Sequence, residues 1–589
     1  MMLLFLALLA PSYSIDNGLA LTPPMGFANW NVFGCDYNDT TFRSMADAFV
    51  STGLAAAGYK YMLVQECITP AGARDADGRM VVDAAKFPHG FKVSAFARIP
   101  PAPPRSLVRA VTPSFVAPTP PAAPAPPPSP LKDLCDYFHS KGLLCGIYTD
   151  VAHLTCANFE GSGPGPANPA GHWAIDALTF ASWGVDLIEA DFCNTEGTNM
   201  SALQLYEGAR DAIAAATAAT GQKMALYQCN WGAEEPWNWA PTVANLFRAT
   251  GDICSPGRIA FNRILSNFDN TIVHSGTPGM APGQPGTGIG AWLDPDMLGP
   301  GMVGITDTEG RTQFSLWCIL AAPLFLGTDV RNASAFTLAT VGNLEAIAIN
   351  QDALGVQGRV ATPSAASVPY EGGVLLNLTS GAAPAGAGTW LLQPDGQVLN
   401  AASGQALTIY ACDTAPGTVV FAYDATSNTC GNQLWRWDAA TGALASRMLG
   451  GGGLCLAGVN PAGGPPSQLV AATCAAGAPE QTWTWAANGS LALAAAWGGV
   501  SLQQFTPPAV NLYVKPLLGG DLALAVLNRG ANDLASGAAL NLTDYGFAPQ
   551  QKVAVLDVWA AATLGPFAGG FTTRAIASHE TLLLRLSPV

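Results

Sequence analysis

One aspartate stands where this chain could do chemistry. The stretch Val185-Asp186-Leu187-Ile188-Glu189-Ala190-Asp191 reads as a buried parallel strand ending in a carboxylate. Its apolar residues Val185, Leu187 and Ile188 are bounded by Gly184 before them and polar residues after them. In a β/α barrel the carboxyl end of a strand is the reactive face. The plainer alternative is an Asp191 that caps the next helix. Residues two apart on a strand share a face, so Glu189 points where Asp191 points.

The elements that would position these groups alternate. Strand-like segments at Tyr59–Val64, Leu143–Thr149, Val185–Asp191, Met224–Asn230 and Leu324–Val330 are separated by helical patterns. Helices are expected at Phe42–Ala57, Leu131–Lys141, Met200–Ala219 and Gln313–Ala322. Repeated β-then-α gives a parallel sheet, and about 350 residues of it suits a closed (β/α)8 barrel. A doubly wound open sheet is the alternative, but it would want a Gly-rich phosphate turn after its first strand, and none is visible.

Composition narrows the classes. The chain has 589 residues, 49% hydrophobic and 11% charged, which is globular and too long for one core. A formal charge of −15 argues against binding to a nucleic-acid backbone, which needs a basic face. Residues 1–14, MMLLFLALLAPSYS, read as a signal peptide without a basic n-region, and no later segment reads as a membrane span. Thirteen cysteines and the Asn-x-Ser/Thr sites at Asn38, Asn199, Asn332, Asn377, Asn488 and Asn541 suit a secreted or vacuolar glycoprotein. The odd cysteine count leaves at least one thiol.

Other stretches follow different rules. Residues 100–130 hold 13 prolines, and a Pro-rich insert at about 95–130 cannot join a barrel. From about 362 the helical period stops. Gln433-Leu434-Trp435 and Gln481-Thr482-Trp483 each follow a cysteine pair, Cys412/Cys430 and Cys455/Cys474, and form an internal repeat; no third Gln-x-Trp is visible. After about 508, Leu522–Asn528, Lys552–Trp559 and Thr581–Leu586 read as sandwich strands.

The start, Leu21-Thr22-Pro23-Pro24-Met25-Gly26-Phe27 with Trp30 and Cys35, resembles that of a glycoside hydrolase family 27 barrel, the family of α-galactosidases or melibiases. The likeness continues through Gly146-Ile147-Tyr148-Thr149-Asp150, Trp183-Gly184-Val185-Asp186, Arg248-Ala249-Thr250-Gly251-Asp252, Asp294-Pro295-Asp296-Met297-Leu298 and Asn350-Gln351-Asp352. It resumes at Leu527-Asn528-Arg529-Gly530 and Asp557-Val558-Trp559. The Gln-x-Trp repeats resemble a ricin-B-type lectin. The implied fold is α/β: a signal peptide over 1–14, a (β/α)8 TIM barrel over 15–361, a β-trefoil-like module over 362–507 and a C-terminal antiparallel β-sandwich over 508–589.

The resemblance implies a retaining exo-glycosidase acting on terminal α-D-galactosyl groups, with Asp191 as nucleophile and Asp252 as acid/base. Retention would set their carboxyls roughly 5–5.5 Å apart. Asp252 should be raised in pKa by burial or a neighbouring anion. By the same resemblance Trp30, Tyr148, Arg248, Asp296 and Met297 line the sugar site. It also implies disulfides Cys35–Cys67, Cys156–Cys193, Cys412–Cys430 and Cys455–Cys474. Cys229 matches half of a further pair without its partner, and Cys254 is left over. No cofactor and no metal is expected, because two carboxyls supply the chemistry and no zinc-type spacing is present. The partner is a carbohydrate.

The chain departs from the family pattern at several pocket positions, Ile68 standing for a tryptophan among them. Gln65 and Glu66 stand for paired aspartates, Glu189 for a lysine and Asn230 for a glutamate. A site built for particular hydroxyls loses affinity when donors and acceptors swap. Activity on β-L-arabinopyranosides, N-acetyl-α-galactosaminides or isomaltose-type glucosides, or sugar binding without cleavage, are therefore the alternatives.

Overall fold

Eight short strands carry the architecture of this computed structural model. They are β1 (Met25–Ala28), β2 (Tyr61–Val64), β3 (Leu144–Asp150), β4 (Leu187–Asp191), β5 (Ala225–Gln228), β6 (Leu246–Arg248), β7 (Trp292–Asp294) and β8 (Leu324–Leu326), all strands of parallel sheet. The structure describes residues 17–70, 72, 74–88, 130–255, 257–275, 290–361, 376–379, 388–409, 412, 414–425, 430–448, 453–459, 468–493, 501–504 and 510–589. The expected signal peptide and all but the last residue of the Pro-rich insert lie outside them.

The chain divides into two compact units. One, residues 34–55 and 60–225, contains β2, β3 and β4. Tyr61 lies opposite Leu144, Tyr148 opposite Glu189 and Asp150 opposite Asp191. All five residues of β4 are buried, as an apolar strand covered on both faces must be. Gly146 is required within β3, because a Cβ there would fall 2.9 Å from the Leu63 side chain. Local chemistry sets the helices. Asn38 and Thr41 form a capping box at the start of Asp39–Ser51, and Ser201 and Gln204 do the same for Ala202–Thr220. A left-handed Gly221 ends the latter helix. Cys135–Cys145, a disulfide the sequence reading did not foresee, joins the helix Pro130–Ser140 to β3.

The other unit, residues 1–33, 56–59 and 226–589, contains β1 and β6–β8, most of β5 and everything after. Met25 in β1 lies opposite Leu324 in β8. The first strand thus pairs with the last, as a closed barrel requires and a doubly wound sheet does not. Leu298, just past β7, bridges in parallel to Leu326 of β8. β1, β6 and β7 escaped the sequence reading because three or four residues are too few to show a period. The segment at Leu324–Val330 is a strand only to Leu326, and Val330 opens a 3₁₀ turn.

The described residues between 376 and 504 include twelve strands. The two Gln-x-Trp units proved to have a third companion. Trp390, Trp435 and Trp483 are buried together in one core. Their indole N–H groups donate to Leu502 O (3.1 Å), Leu407 O (2.8 Å) and Leu456 O (2.9 Å). Their backbone N–H groups donate, each at 2.8 Å, to Gly489 O, Gly396 O and Gly442 O, so each unit is tied to another and the third closes on the first. All three glycines have positive φ (105°, 70° and 82° for Gly396, Gly442 and Gly489), and a Cβ at each would approach a tryptophan carbonyl oxygen to 3.1 Å or less. The third unit was hidden because Gly388 stands where the others have Gln433 and Gln481. Its last strand, Leu376–Thr379, comes from the opposite end of the region and pairs antiparallel with Ser501–Gln504.

The C-terminal region is a six-stranded antiparallel sheet with a two-stranded one beside it, around a core that includes Leu524, Val526, Val555 and Leu584. Arg359–Val360 pairs with Val510–Pro516 in this sheet, so it belongs with the C-terminal region although the sequence reading gave it to the barrel. Ala361 N–H donates to Leu512 O at 2.9 Å, which brings the two ends of the inserted region together.

Candidate active site

The site residues fall into two clusters, each held within its own unit. In the first, Asp191 ends β4 and keeps 8% exposure. Its Oδ2 accepts the Tyr148 hydroxyl at 2.8 Å and its Oδ1 accepts the Phe192 N–H at 3.0 Å. Both donors are neutral. Asp150, its partner across the β3–β4 ladder, accepts the Ala152 N–H (2.8 Å) and the Cys193 N–H (2.9 Å), and so holds the loop that follows the nucleophile candidate. Burial, and then the charge of Asp191, push the Asp150 pKa well up. Burial and the Asp191 charge likewise raise Tyr148. The disulfide Cys156–Cys193 braces the same loop. Asp150, Cys156 and Cys193 bring possible ligand atoms together, but both sulfurs are spent in the disulfide.

Gln65, Glu66 and Glu189, three of the departures from the family pattern, lie in this cluster. Gln65 Nε2 donates to Glu189 Oε2 at 2.6 Å, and both residues are buried. Glu66 works as a loop anchor. Its carboxylate accepts from Thr155 Oγ1 (2.8 Å), Ala157 N–H (3.0 Å) and Cys67 N–H (3.3 Å). Cys35–Cys67 fixes the adjoining backbone, where Glu66 and Cys67 have φ of 49° and 53°.

The second cluster surrounds Arg248 at the end of β6. Its Nη2 donates to Asp252 Oδ1 (3.1 Å) and to Thr250 O (3.0 Å), and its Nη1 lies 3.1 Å from Asp296 Oδ1. Burial opposes the Arg248 charge, but Asp296, Cys229 and Asp252 together raise its pKa. Asp252 is not buried, contrary to one branch of the expectation: 56% of its side chain is exposed. Asp296 is buried and pushed up to about 7, first by burial and against the pull of Arg248. It accepts the Ile253 and Met297 N–H groups, each at 2.7 Å, and holds φ at 90°, a strained value for a residue with a Cβ. Met297 is buried beside it. Asn230 is buried after β5 and donates to Ala233 O at 2.5 Å. Trp30 follows β1 and is half-buried.

Tyr227, Asp294, Thr155 and Asp150 were missed as supporting residues. The Asp-Pro-Asp spacing at 294–296 was the available signal for Asp294, since an aspartate readily accepts the N–H two residues on. Cys229, Cys254 and Cys318 remain as thiols. The four expected disulfides are formed.

One unit thus presents a buried carboxylate at the end of a parallel strand, Asp191, and the other an exposed carboxylate paired with a buried guanidinium, Asp252 beside Arg248. Residues 22–98 and 121–352 match the family profile described as alpha galactosidase A, and residues 508–586 match the alpha galactosidase C-terminal beta sandwich domain. The profile's gap falls within the Pro-rich insert. An alpha-galactosidase of Cyamopsis tetragonoloba is 36% identical over 59% of this chain and 68% of its own length. Alpha-galactosidase A of Cellvibrio japonicus is 36% identical over 58% of this chain and 70% of its own. The structure of alpha-galactosidase I from Mortierella vinacea superposes with a TM-score of 0.57 at 19% identity, covering 97% of this chain and 98% of that one. The chain belongs to the glycoside hydrolase family 27 α-galactosidases.

Proposed function

We propose that the chain hydrolyses terminal non-reducing α-D-galactosyl residues by double displacement, with Asp191 as nucleophile and Asp252 as acid/base. The observation that carries this is Asp191 itself: a buried carboxylate at the reactive end of β4, fixed by Tyr148 and the Phe192 N–H. Fixing a nucleophile in one geometry removes the entropy cost of reaching it. Asp191 attacks the anomeric carbon while Asp252 protonates the departing oxygen. A water then gives its proton to Asp252 and releases the sugar from the ester. The exposure of Asp252 suits a group that must meet varied leaving groups and then water.

Trp30, Tyr148, Arg248, Asp296 and Met297 would line the sugar site, and Gln65, Glu66, Glu189 and Asn230 would set its preference among hydroxyls. The Gln65–Glu189 pair keeps a second reading open, a related glycosidase of different specificity. A panel of nitrophenyl glycosides decides: α-D-galactoside, β-L-arabinopyranoside, N-acetyl-α-D-galactosaminide and α-D-glucoside. Fastest release from the α-galactoside supports the main reading. Fastest release from another sugar replaces it with that specificity, and release from none sinks both.

We further infer that residues 362–507 form a β-trefoil-like module of ricin-B type. Three cyclically tied tryptophan units support it. The barrel at 15–361, the sandwich at 508–589, the signal peptide at 1–14 and export of the protein are part of the same reading, which the five disulfides support.

A further inference from the structure

The backbone on both sides of Asp252 is pinned from outside its own loop. Asn267, buried on the helix Phe261–Ile272, donates from Nδ2 to Gly251 O (2.8 Å) and to Pro295 O (3.1 Å). Arg263 Nη1 donates to Asp252 O at 3.1 Å. The Ile253 N–H donates to Asp296 Oδ2 at 2.7 Å. Asp296 can reach Ile253 and Arg248 together because its backbone sits at φ 90°. A residue with a Cβ does not hold that conformation unaided. The Trp317 indole N–H, donating to Asp296 O at 2.8 Å, holds one side of it, and Asp294 holds the other. Its Oδ1 accepts the Asp296 N–H at 2.7 Å, and its Oδ2 accepts the Tyr227 hydroxyl at 2.5 Å. Asp294 is itself fixed in the sheet, opposite Arg248 in the β6–β7 ladder.

We propose that Asp294, oriented by Tyr227, is a positioning residue for the acid/base step: it holds Asp296 in its strained turn, and Asp296 in turn fixes Arg248 and the Asp252–Ile253 peptide. The inference rests on the reading of Asp252 as acid/base. Asp294 makes no contact with the sugar in this scheme and transfers no proton. Its effect is exerted on where the Asp252 carboxyl sits when the leaving oxygen needs its proton.

The test uses leaving groups of different need. A nitrophenolate departs with little protonation, whereas an alkoxide requires it. kcat/KM reports the first, bond-breaking step for both substrates. In Asp252→Ala, kcat/KM on methyl α-galactoside falls by about 10²–10⁴, and on the nitrophenyl substrate much less. Asp294→Asn should reproduce that asymmetry in smaller measure, about tenfold or more on the methyl glycoside and within about threefold on the nitrophenyl one. Tyr227→Phe removes only the hydroxyl and keeps the carboxylate, so it reads the same asymmetry if Asp294→Asn does not fold. Equal losses on both substrates would mark a merely structural role and overturn the proposal. So would no loss on either while Asp252→Ala shows the asymmetry. If Asp252→Ala itself shows no leaving-group dependence, the acid/base reading falls and this inference falls with it.

Discussion

The two candidate catalytic carboxylates are held in opposite ways. Asp191 is buried, and a tyrosine hydroxyl and a backbone N–H, both neutral, donate to its oxygens. Its neighbours Asp150 and Glu189 are acidic. Asp252 is more than half exposed and is held by a buried guanidinium. The difference matches two jobs. A nucleophile needs one fixed geometry and a weakly stabilised anion, because strong charge pairing would have to be surrendered as the ester forms. An acid/base group needs access to the leaving oxygen and to water, with its position set by neighbours that do not react.

The most severe way to break this comparison is to exchange the roles. Truncating either aspartate to alanine should lower kcat/KM on unactivated α-galactosides by about 10² to 10⁴ or more. Added azide then separates them by stereochemistry. In Asp191→Ala, azide takes the place of the nucleophile, one displacement occurs, and β-galactosyl azide forms. In Asp252→Ala, the Asp191 ester forms first and azide completes a second displacement, giving α-galactosyl azide. NMR of the products reads the anomer directly. The reverse pattern would mean that the two assignments are interchanged.

The next effect concerns the cation that distinguishes the second cluster. Arg248→Met removes the charge between Asp252 and Asp296 and leaves Asp296 buried without a cation. Breaking a buried pair in this way costs about 3–5 kcal/mol. The variant should therefore melt earlier as well as lose activity. Burial already places Asp296 at about 7 with Arg248 present. A carboxyl raised in the folded state favours folding less as pH rises from its unfolded value through the folded one. The deficit of Arg248→Met should thus be smaller at pH 4 than at pH 8, as differential scanning fluorimetry would show. A deficit independent of pH would mean that the guanidinium acts by packing and not by charge.

What the sequence exposed, and what it hid, follows the same physics. Asp191 was legible because a strand covered on both faces must be an apolar run, and a carboxylate at its end stands out. Glu189 was legible as its same-face neighbour from the period of two. β6 and β7 were not, since Leu246–Arg248 and Trp292–Asp294 are too short to display a pattern. Asp150 and Asp294 were passed over because an aspartate satisfied by backbone N–H groups resembles any turn aspartate until the ladder places it. Trp390 was passed over because its unit has lost the glutamine and cysteines that mark the other two, and keeps only the tryptophan and the glycine six residues on. In each miss the signal lay in a tertiary contact with no local composition to announce it.

The smallest expected effect sharpens the contrast between buried cations. Arg248 is matched by two carboxylates, whereas Lys515 is wholly buried and its Nζ has no hydrogen-bond partner among the described residues. Burial pulls its pKa down to about 8, with Asp352 opposing. A lysine lowered in the folded state penalises folding most below that folded pKa, where both states carry the proton. The penalty fades as pH climbs from about 8 to the ordinary 10.5, and is gone above it. A shift of that size corresponds to about 3 kcal/mol at neutral pH. Lys515→Met keeps the stem and removes the charge, so it should raise the melting temperature at pH 7, and the gain over wild type should close by pH 10.5. Arg248→Met and Lys515→Met would then delete one buried cation each with opposite signs. A destabilised Lys515→Met, or a gain that persists unchanged at pH 10.5, would mean that the Lys515 ammonium has a compensating partner and that the two cations are not different in kind.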